Sequence, residues 1–165
     1  MPPPLWRERF AELIDALSRR LGTPRFEPHI TLAAPSVATE ADAISRAQRL
    51  AARLAPVPIH LIGAVHTDAY FRCLYLRAEK TAPLLAAHRL ACHELEQPVE
   101  TDFTPHLSLV YGTIETPLKE KIIQEIAGRF PEHFAADRLC LCVIAGSPAD
   151  WRSIGPFPLT GGVER

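Results

Sequence analysis

The sequence predicts an α+β fold made of two similar, pseudo-symmetric lobes with a cleft between them. Its 165 residues, formal charge of −1 and 47% hydrophobic content suit one ordinary domain covering residues 1–165. Apolar residues recur at helical spacing in some stretches and alternate in others, which indicates both helices and strands. The order helix, strand, helix, strand, strand occurs twice, which favours lobes of approximately 1–70 and 71–165 over a solenoid of many short repeats.

The first half opens with a proline-rich segment that leads into an amphipathic helix. The predicted elements of this half are a helix over 5–21, a strand over 24–33, a helix over 39–54, and strands over 57–66 and 71–78. Gly22 and Pro24 end the first helix, and Thr39 is a suitable cap for the second.

The second half repeats this order. Its predicted elements are a helix over 81–97, a strand over 103–111, a helix over 116–130, and strands over 139–145 and 151–159. The helix at Thr81 follows a strand, whereas its counterpart in the first half begins almost at Met1. We therefore expect either that the native protein lacks the matching first strand or that this strand lies upstream of Met1.

Charge and composition favour a small ligand over a polymer. The sequence has no run of five or six basic residues, and a protein that grips long nucleic acid usually shows a basic patch. The N-terminus has no apolar leader, and no stretch approaches the length of a membrane span. We expect a cytoplasmic monomer without a membrane or long nucleic-acid partner.

One heptapeptide pattern, F-x-P-H-h-[ST]-L, occurs at equivalent places in the two halves. Motif 1 is residues 26–32, FEPHITL, and motif 2 is residues 103–109, FTPHLSL. Because side chains alternate along a strand, His29 shares a face with Thr31, and His106 shares a face with Ser108. A lone His-x-Thr usually belongs to an ordinary half-buried histidine, but two framed, symmetric copies are hard to attribute to packing.

Two histidines and two hydroxyls suit the hydrolysis of a phosphodiester. One neutral imidazole can deprotonate water while a protonated one supplies the leaving oxygen with a proton. The Thr31 and Ser108 hydroxyls can donate to the non-bridging phosphate oxygens. This chemistry needs no metal, and no cofactor is expected.

The duplicated motif resembles that of the two-histidine phosphoesterase superfamily. Within it, FEPHITL, FTPHLSLVYG and the C-terminal Trp151 and FPL run are similar to the cyclic phosphodiesterase-like family. The resemblance spans nearly the whole chain and implies antiparallel sheets lining a central groove, with helices outside. It implies hydrolysis of ADP-ribose 1″,2″-cyclic phosphate or a nucleoside 2′,3′-cyclic phosphate to a monophosphate.

The resemblance also implies roles for individual residues. His29 and His106 would be catalytic, Thr31 and Ser108 would bind phosphate, and Tyr111 would contact the substrate. Strict alternation aims Tyr111 away from His106, so a structural tyrosine stays open, although Gly112 permits a bulge that redirects it. Members of this family usually begin with a strand that carries an aromatic residue, and no such strand is predicted ahead of the first helix in this sequence.

The remaining histidines do not form a competing site. The HELEQ run at 93–97 lacks the second histidine of HExxH, and His88 and His93 lie about 140° apart on a helix. For these and the other histidines we favour surface or structural roles. Two alternatives remain open: an enzyme acting on RNA ends, on 2′,3′-cyclic phosphates or 2′–5′ linkages, and a non-catalytic nucleotide-binding module.

Overall fold

The computed structural model describes residues 1–34 and 39–162, apart from the side chain of residue 149. The other residues of the predicted domain, 35–38 and 163–165, lie outside the described residues. The helices are α1 (Pro4–Leu21), α2 (Glu40–Arg53), α3 (Ala82–Glu94) and α4 (Thr116–Ile126). The strands are β1 (Val57–His66), β2 (Leu74–Ala78), β3 (His106–Val110), β4 (His133–Ala136), β5 (Arg138–Val143) and β6 (Arg152–Pro158).

The helix ends follow the local sequence signals. The hydroxyl of Thr39 accepts the backbone N–H of Asp42 at 3.1 Å, which confirms its predicted role as the cap of α2. Thr81 caps α3 in the same way. Helix α1 ends at Gly22, whose φ of 65° lies in the left-handed region that glycine adopts without steric cost. None of these helices is long and apolar enough to cross a membrane.

The strands form two antiparallel sheets. The first has four strands in the order β3-β2-β1-β4, and the second is the hairpin β5-β6. Strands from both halves of the chain meet in the four-stranded sheet. The α+β fold with an antiparallel sheet is confirmed. Strand β4 was missed, because four residues between a helix end and the next strand are too few to show a pattern.

One side of the four-stranded sheet faces the helices, and the other side carries His106 and Ser108. Leu107 of β3 lies opposite Leu76 of β2, and both are fully buried against the helices. Because side chains alternate, His106 and Ser108 lie on the other side, with Tyr75 opposite Ser108. Burial of the leucine side therefore determines which way the second motif points.

The predicted strand over 24–33 is wrong. Motif 1 makes a single antiparallel bridge, between Ile30 and Leu107, and no ladder. Pro28 has no N–H to donate, which removes one ladder bond beside His29. Along this segment lies an apolar cavity of about 40 Å³, lined among others by Ile30, Leu32 and Leu139. Within residues 1–34 no strand precedes α1 to pair with motif 1.

The predicted strand over 71–78 is shorter than expected. Residues Tyr70–Arg72 form a turn of 3₁₀ helix, and β2 begins only at Leu74. This turn packs over β3, and the backbone N–H of Gly112 donates to the carbonyl of Tyr70 at 3.0 Å. The turn therefore covers the side of β3 that carries His106 and Ser108.

Candidate active site

The bridge between the two motifs brings four polar side chains onto one face. With Ile30 opposite Leu107, antiparallel register places His29 opposite Ser108 and Thr31 opposite His106. Side chains opposite each other share a face, with Cβ atoms about 5 Å apart. On this register the two imidazoles and the two hydroxyls would share one face, with each histidine beside the hydroxyl of the other motif.

Both histidines make the same hydrogen bond. Nδ1 of His29 lies 2.6 Å from the carbonyl oxygen of Glu27, and Nδ1 of His106 lies 2.8 Å from that of Thr104. A carbonyl oxygen only accepts, so each Nδ1 carries the proton. This leaves Nε2 of each ring free for a ligand or a proton in transfer. The variable residue x of F-x-P-H, which is Glu27 or Thr104, thus holds the histidine ring through its backbone carbonyl.

Burial lowers the pKa of both histidines. For His29, burial acts against the bond to the Glu27 carbonyl, and nearby His106 lowers the pKa further. For His106, burial again dominates, the Thr104 carbonyl partly offsets it, and the charge of Arg72 adds to the lowering. Both pKa values therefore lie below the ordinary 6.5. A ring whose pKa lies below 6.5 is mainly neutral at pH 7, and a neutral imidazole can accept a proton.

The two hydroxyls differ in their surroundings. Ser108 is only 4% exposed, and its hydroxyl donates to the carbonyl of Phe71 at 3.3 Å. Thr31 is exposed, and its hydroxyl has no hydrogen-bond partner among the described residues. Thr31 is therefore free to donate to a ligand at once, whereas Ser108 must first rotate away from Phe71.

An aromatic wall borders this face, formed by Phe26, Phe71, Tyr111 and Trp151. Tyr111 stacks on Phe26 with ring centroids 3.8 Å apart, and Phe71 meets Tyr111 edge-on at 5.4 Å. Phe71 is 54% exposed and lies nearly parallel to Trp151 at 6.0 Å. Sequence reasoning missed Phe71; its signal was an aromatic pair, Tyr70 and Phe71, in the connection before β2.

Tyr111 is largely enclosed in this wall. It is 4% exposed, and burial raises its pKa to about 12, although the Ser108 hydroxyl acts in the opposite direction. Its phenol therefore stays protonated and can donate. Substrate contact by Tyr111 stays a prediction. Trp6 is not part of the wall, because it packs on α1 under the guanidinium of Arg9.

Of the basic residues near the predicted strands, Arg72 differs from the others. Arg25 pairs with Asp15, and Arg152 pairs with Glu40. Among the described ion pairs Arg72 has no acidic partner, and its charge reaches His106. It is the better candidate to meet a second anionic group. Within the described residues, no group of three His, Cys, Asp or Glu side chains is arranged to hold a metal ion.

Two matched His-x-hydroxyl pairs beside an antiparallel sheet edge are the arrangement expected of a two-histidine phosphoesterase. The family model of the 2′-5′ RNA ligase superfamily matches residues 1–148, so the chain belongs to this superfamily. The chain is 29% identical to a protein described as cyclic phosphodiesterase from Arabidopsis thaliana over 140 residues, which cover 81% of this chain and 76% of that protein. Its fold is similar to the crystal structure of TT0787 of Thermus thermophilus, with a TM-score of 0.57, 20% identity and coverage of 97% of this chain and 95% of that chain.

Proposed function

We propose that the protein opens a small cyclic phosphodiester to a phosphomonoester, with His29 and His106 as general base and general acid. The substrate is ADP-ribose 1″,2″-cyclic phosphate or a nucleoside 2′,3′-cyclic phosphate. The observation that carries this proposal is the antiparallel bridge between Ile30 and Leu107, a register that would bring both His-x-hydroxyl pairs onto one face. The similarity to a cyclic phosphodiesterase supports the substrate class.

In the proposed reaction, water attacks phosphorus and one ring P–O bond breaks. The Nε2 of one histidine takes a proton from the water, and the Nε2 of the other gives a proton to the departing alkoxide. After one turnover the two rings have exchanged protonation states, and solvent restores them. Which histidine is the base depends on the orientation of the substrate.

The two hydroxyls would bind the non-bridging oxygens. Hydrogen bonds to these oxygens strengthen as negative charge shifts toward them in the transition state. Thr31 donates directly, and Ser108 donates once it releases the Phe71 carbonyl. The arriving anion also raises the pKa of the nearby imidazoles, which provides the protonated acid that the free protein lacks at pH 7.

The surroundings offer contacts for the base of a small nucleotide and for a second phosphate. The exposed ring of Phe71 offers a face on which a base can stack, which contributes about 1–3 kcal/mol for a base on an aromatic side chain. Arg72 next to it can meet a second phosphate. We propose that the duplicated motifs form a pseudo-symmetric pair across the cleft, so that one cyclic phosphate contacts both.

A second candidate is an enzyme that opens terminal 2′,3′-cyclic phosphates of RNA. The description of the family model favours it. The formal charge of −1 does not, because a groove for RNA is normally lined with Lys and Arg.

The experiment is hydrolysis, with a chelator present, of ADP-ribose 1″,2″-cyclic phosphate, the 2′,3′-cyclic mononucleotides and a cyclic-phosphate-ended oligonucleotide. The blank is a His29→Ala/His106→Ala double variant, and the matched control is His60→Ala, which removes an exposed histidine outside the site. Turnover of a small substrate by wild type and by the control, but not by the blank, supports the proposal. Preference for the oligonucleotide supports the RNA enzyme. Binding without turnover indicates a nucleotide-binding module, and activity that requires added zinc rejects the metal-independent mechanism.

A further inference from the structure

A buried histidine outside both motifs touches each of them. His88 lies on α3 and is 2% exposed. Its Nδ1 lies 2.7 Å from the carbonyl oxygen of Leu32, the last residue of motif 1. Since a carbonyl only accepts, Nδ1 of His88 carries the proton and donates it. The hydrogen bond therefore holds the end of motif 1 against α3.

The same imidazole packs flat on the first residue of motif 2. The rings of His88 and Phe103 are parallel within 1°, with centroids 3.8 Å apart. One side chain thus makes a polar contact to the end of one motif and a stacking contact to the start of the other. Phenylalanine or leucine would fill this space equally well, but only a donor can satisfy the Leu32 carbonyl.

The opposite ends of the motifs are joined by a second aromatic contact. Phe26, the first residue of motif 1, stacks on Tyr111, which follows motif 2, at 3.8 Å. Between these two contacts, the one β-bridge that joins the motifs among the described residues runs from Ile30 to Leu107. Because motif 1 has no ladder of hydrogen bonds, its position depends on contacts at its two ends.

We propose that His88 is a positioning residue that holds motif 1 in register with motif 2, and so places Thr31 beside His106. This rests on the proposed hydrolysis of a cyclic phosphodiester and extends it to a residue on α3. Leu32 directly follows Thr31, so release of the Leu32 carbonyl moves the Thr31 hydroxyl relative to the phosphate. A shift of about 1 Å in such a group can cost about a hundredfold in rate.

The test compares two substitutions that separate the donor from the ring. His88→Asn keeps a side-chain N–H at the position of Nδ1 but loses the stacked ring, whereas His88→Phe keeps the ring and loses the donor. We expect kcat to fall about tenfold to a hundredfold in His88→Phe with little change in KM, and to recover most of this loss in His88→Asn. Thermal unfolding of both variants is measured as well, so that a loss of rate caused by lower stability can be distinguished from a loss caused by misplacement of Thr31.

A second readout makes the test specific to Thr31. In a double-mutant cycle, Thr31→Ala and His88→Phe should be non-additive in kcat, because both remove the same placed hydroxyl. Additive losses, or equal losses in the two His88 variants that follow their unfolding temperatures, would overturn the positioning role and leave packing alone.

Amide hydrogen exchange tests the register without any substrate. We expect the amides of residues 29–32 to exchange at least about tenfold faster in His88→Phe than in wild type or His88→Asn, while the amides of α4 stay unchanged. Unchanged exchange at 29–32 in His88→Phe would overturn the inference. If the wild type turns over no substrate, the proposed function fails, and the exchange result still decides whether His88 holds motif 1.

Discussion

The two copies of the motif have the same sequence pattern but different structural settings. Motif 2 forms most of β3 and pairs along its length with β2, whereas motif 1 makes only the bridge at Ile30. Ser108 is buried and hydrogen-bonded, whereas Thr31 is exposed and free among the described residues. Both copies keep the bond from His Nδ1 to a carbonyl two residues earlier. The comparison shows that the local motif determines the histidine tautomer, and the rest of the protein determines how rigidly it is held.

The largest expected effect is the loss of activity when either histidine is removed. It tests whether the two motifs contribute equally to the reaction despite their different settings. His29→Ala and His106→Ala should each lower kcat/KM by about 10² to 10⁴, because each removes one proton transfer of the same reaction. Steady-state kinetics on the preferred cyclic phosphate measures this. His60→Ala should retain wild-type rates. A loss seen only in His106→Ala, the variant in motif 2, would show that motif 1 does not take part in the chemistry.

Removal of the two hydroxyls should affect stability differently, because Ser108 is buried and Thr31 is exposed. Thr31→Ala and Ser108→Ala should each lower kcat by about 10² if each donates to the phosphate in the transition state. Only Ser108→Ala should also lower the free energy of unfolding, by about 1 kcal/mol, because it removes a buried hydrogen bond to the Phe71 carbonyl. Kinetics and denaturant unfolding measure the two effects, and equal unfolding free energies would contradict the assigned difference.

The pH dependence should reflect the lowered pKa of both histidines. In the free protein the base works once it is deprotonated, and the acid stops working above its own pKa, so kcat/KM should be bell-shaped with its maximum below pH 6.5. The alkaline limb of kcat should lie at higher pH, because bound phosphate raises the pKa of the acid. Rates across about pH 4–9 at constant ionic strength test this. A kcat/KM that rises steadily to about pH 8 would exclude the division into acid and base.

The smallest expected effect distinguishes the two histidines electrostatically. The charge of Arg72 contributes to lowering the pKa of His106, whereas the lowering at His29 comes from burial, the N-terminal ammonium and His106. Arg72→Gln should therefore raise the pKa of His106 and leave that of His29 unchanged. Titration of the imidazole ring protons by NMR measures both values in one sample, with Arg25→Gln as the matched control. Equal shifts at both rings would show that Arg72 does not lie preferentially near motif 2.

Much of the secondary structure could be read from the sequence, because its signals are local. Strand β1 occupies the predicted residues 57–66, and α2 begins at its predicted cap, Thr39. Segment 24–33 shows the limit of such signals, since its alternation is that of a strand but it lacks a partner to complete a ladder. His88 shows another limit: the sequence predicts a surface or structural role for a polar residue on an apolar helix, and its contacts with Leu32 and Phe103 suggest more.

By itself the sequence determined that two His-x-hydroxyl motifs lie at equivalent places in the two halves. The tertiary structure decided which hydroxyl is free among the described residues, which aromatic rings border the site, that each His Nδ1 donates to a carbonyl two residues earlier, and that Ile30 pairs with Leu107. The physical reason is distance along the chain. Ile30 and Leu107 meet across the fold, and neither periodicity nor composition reports which two distant residues pack against each other.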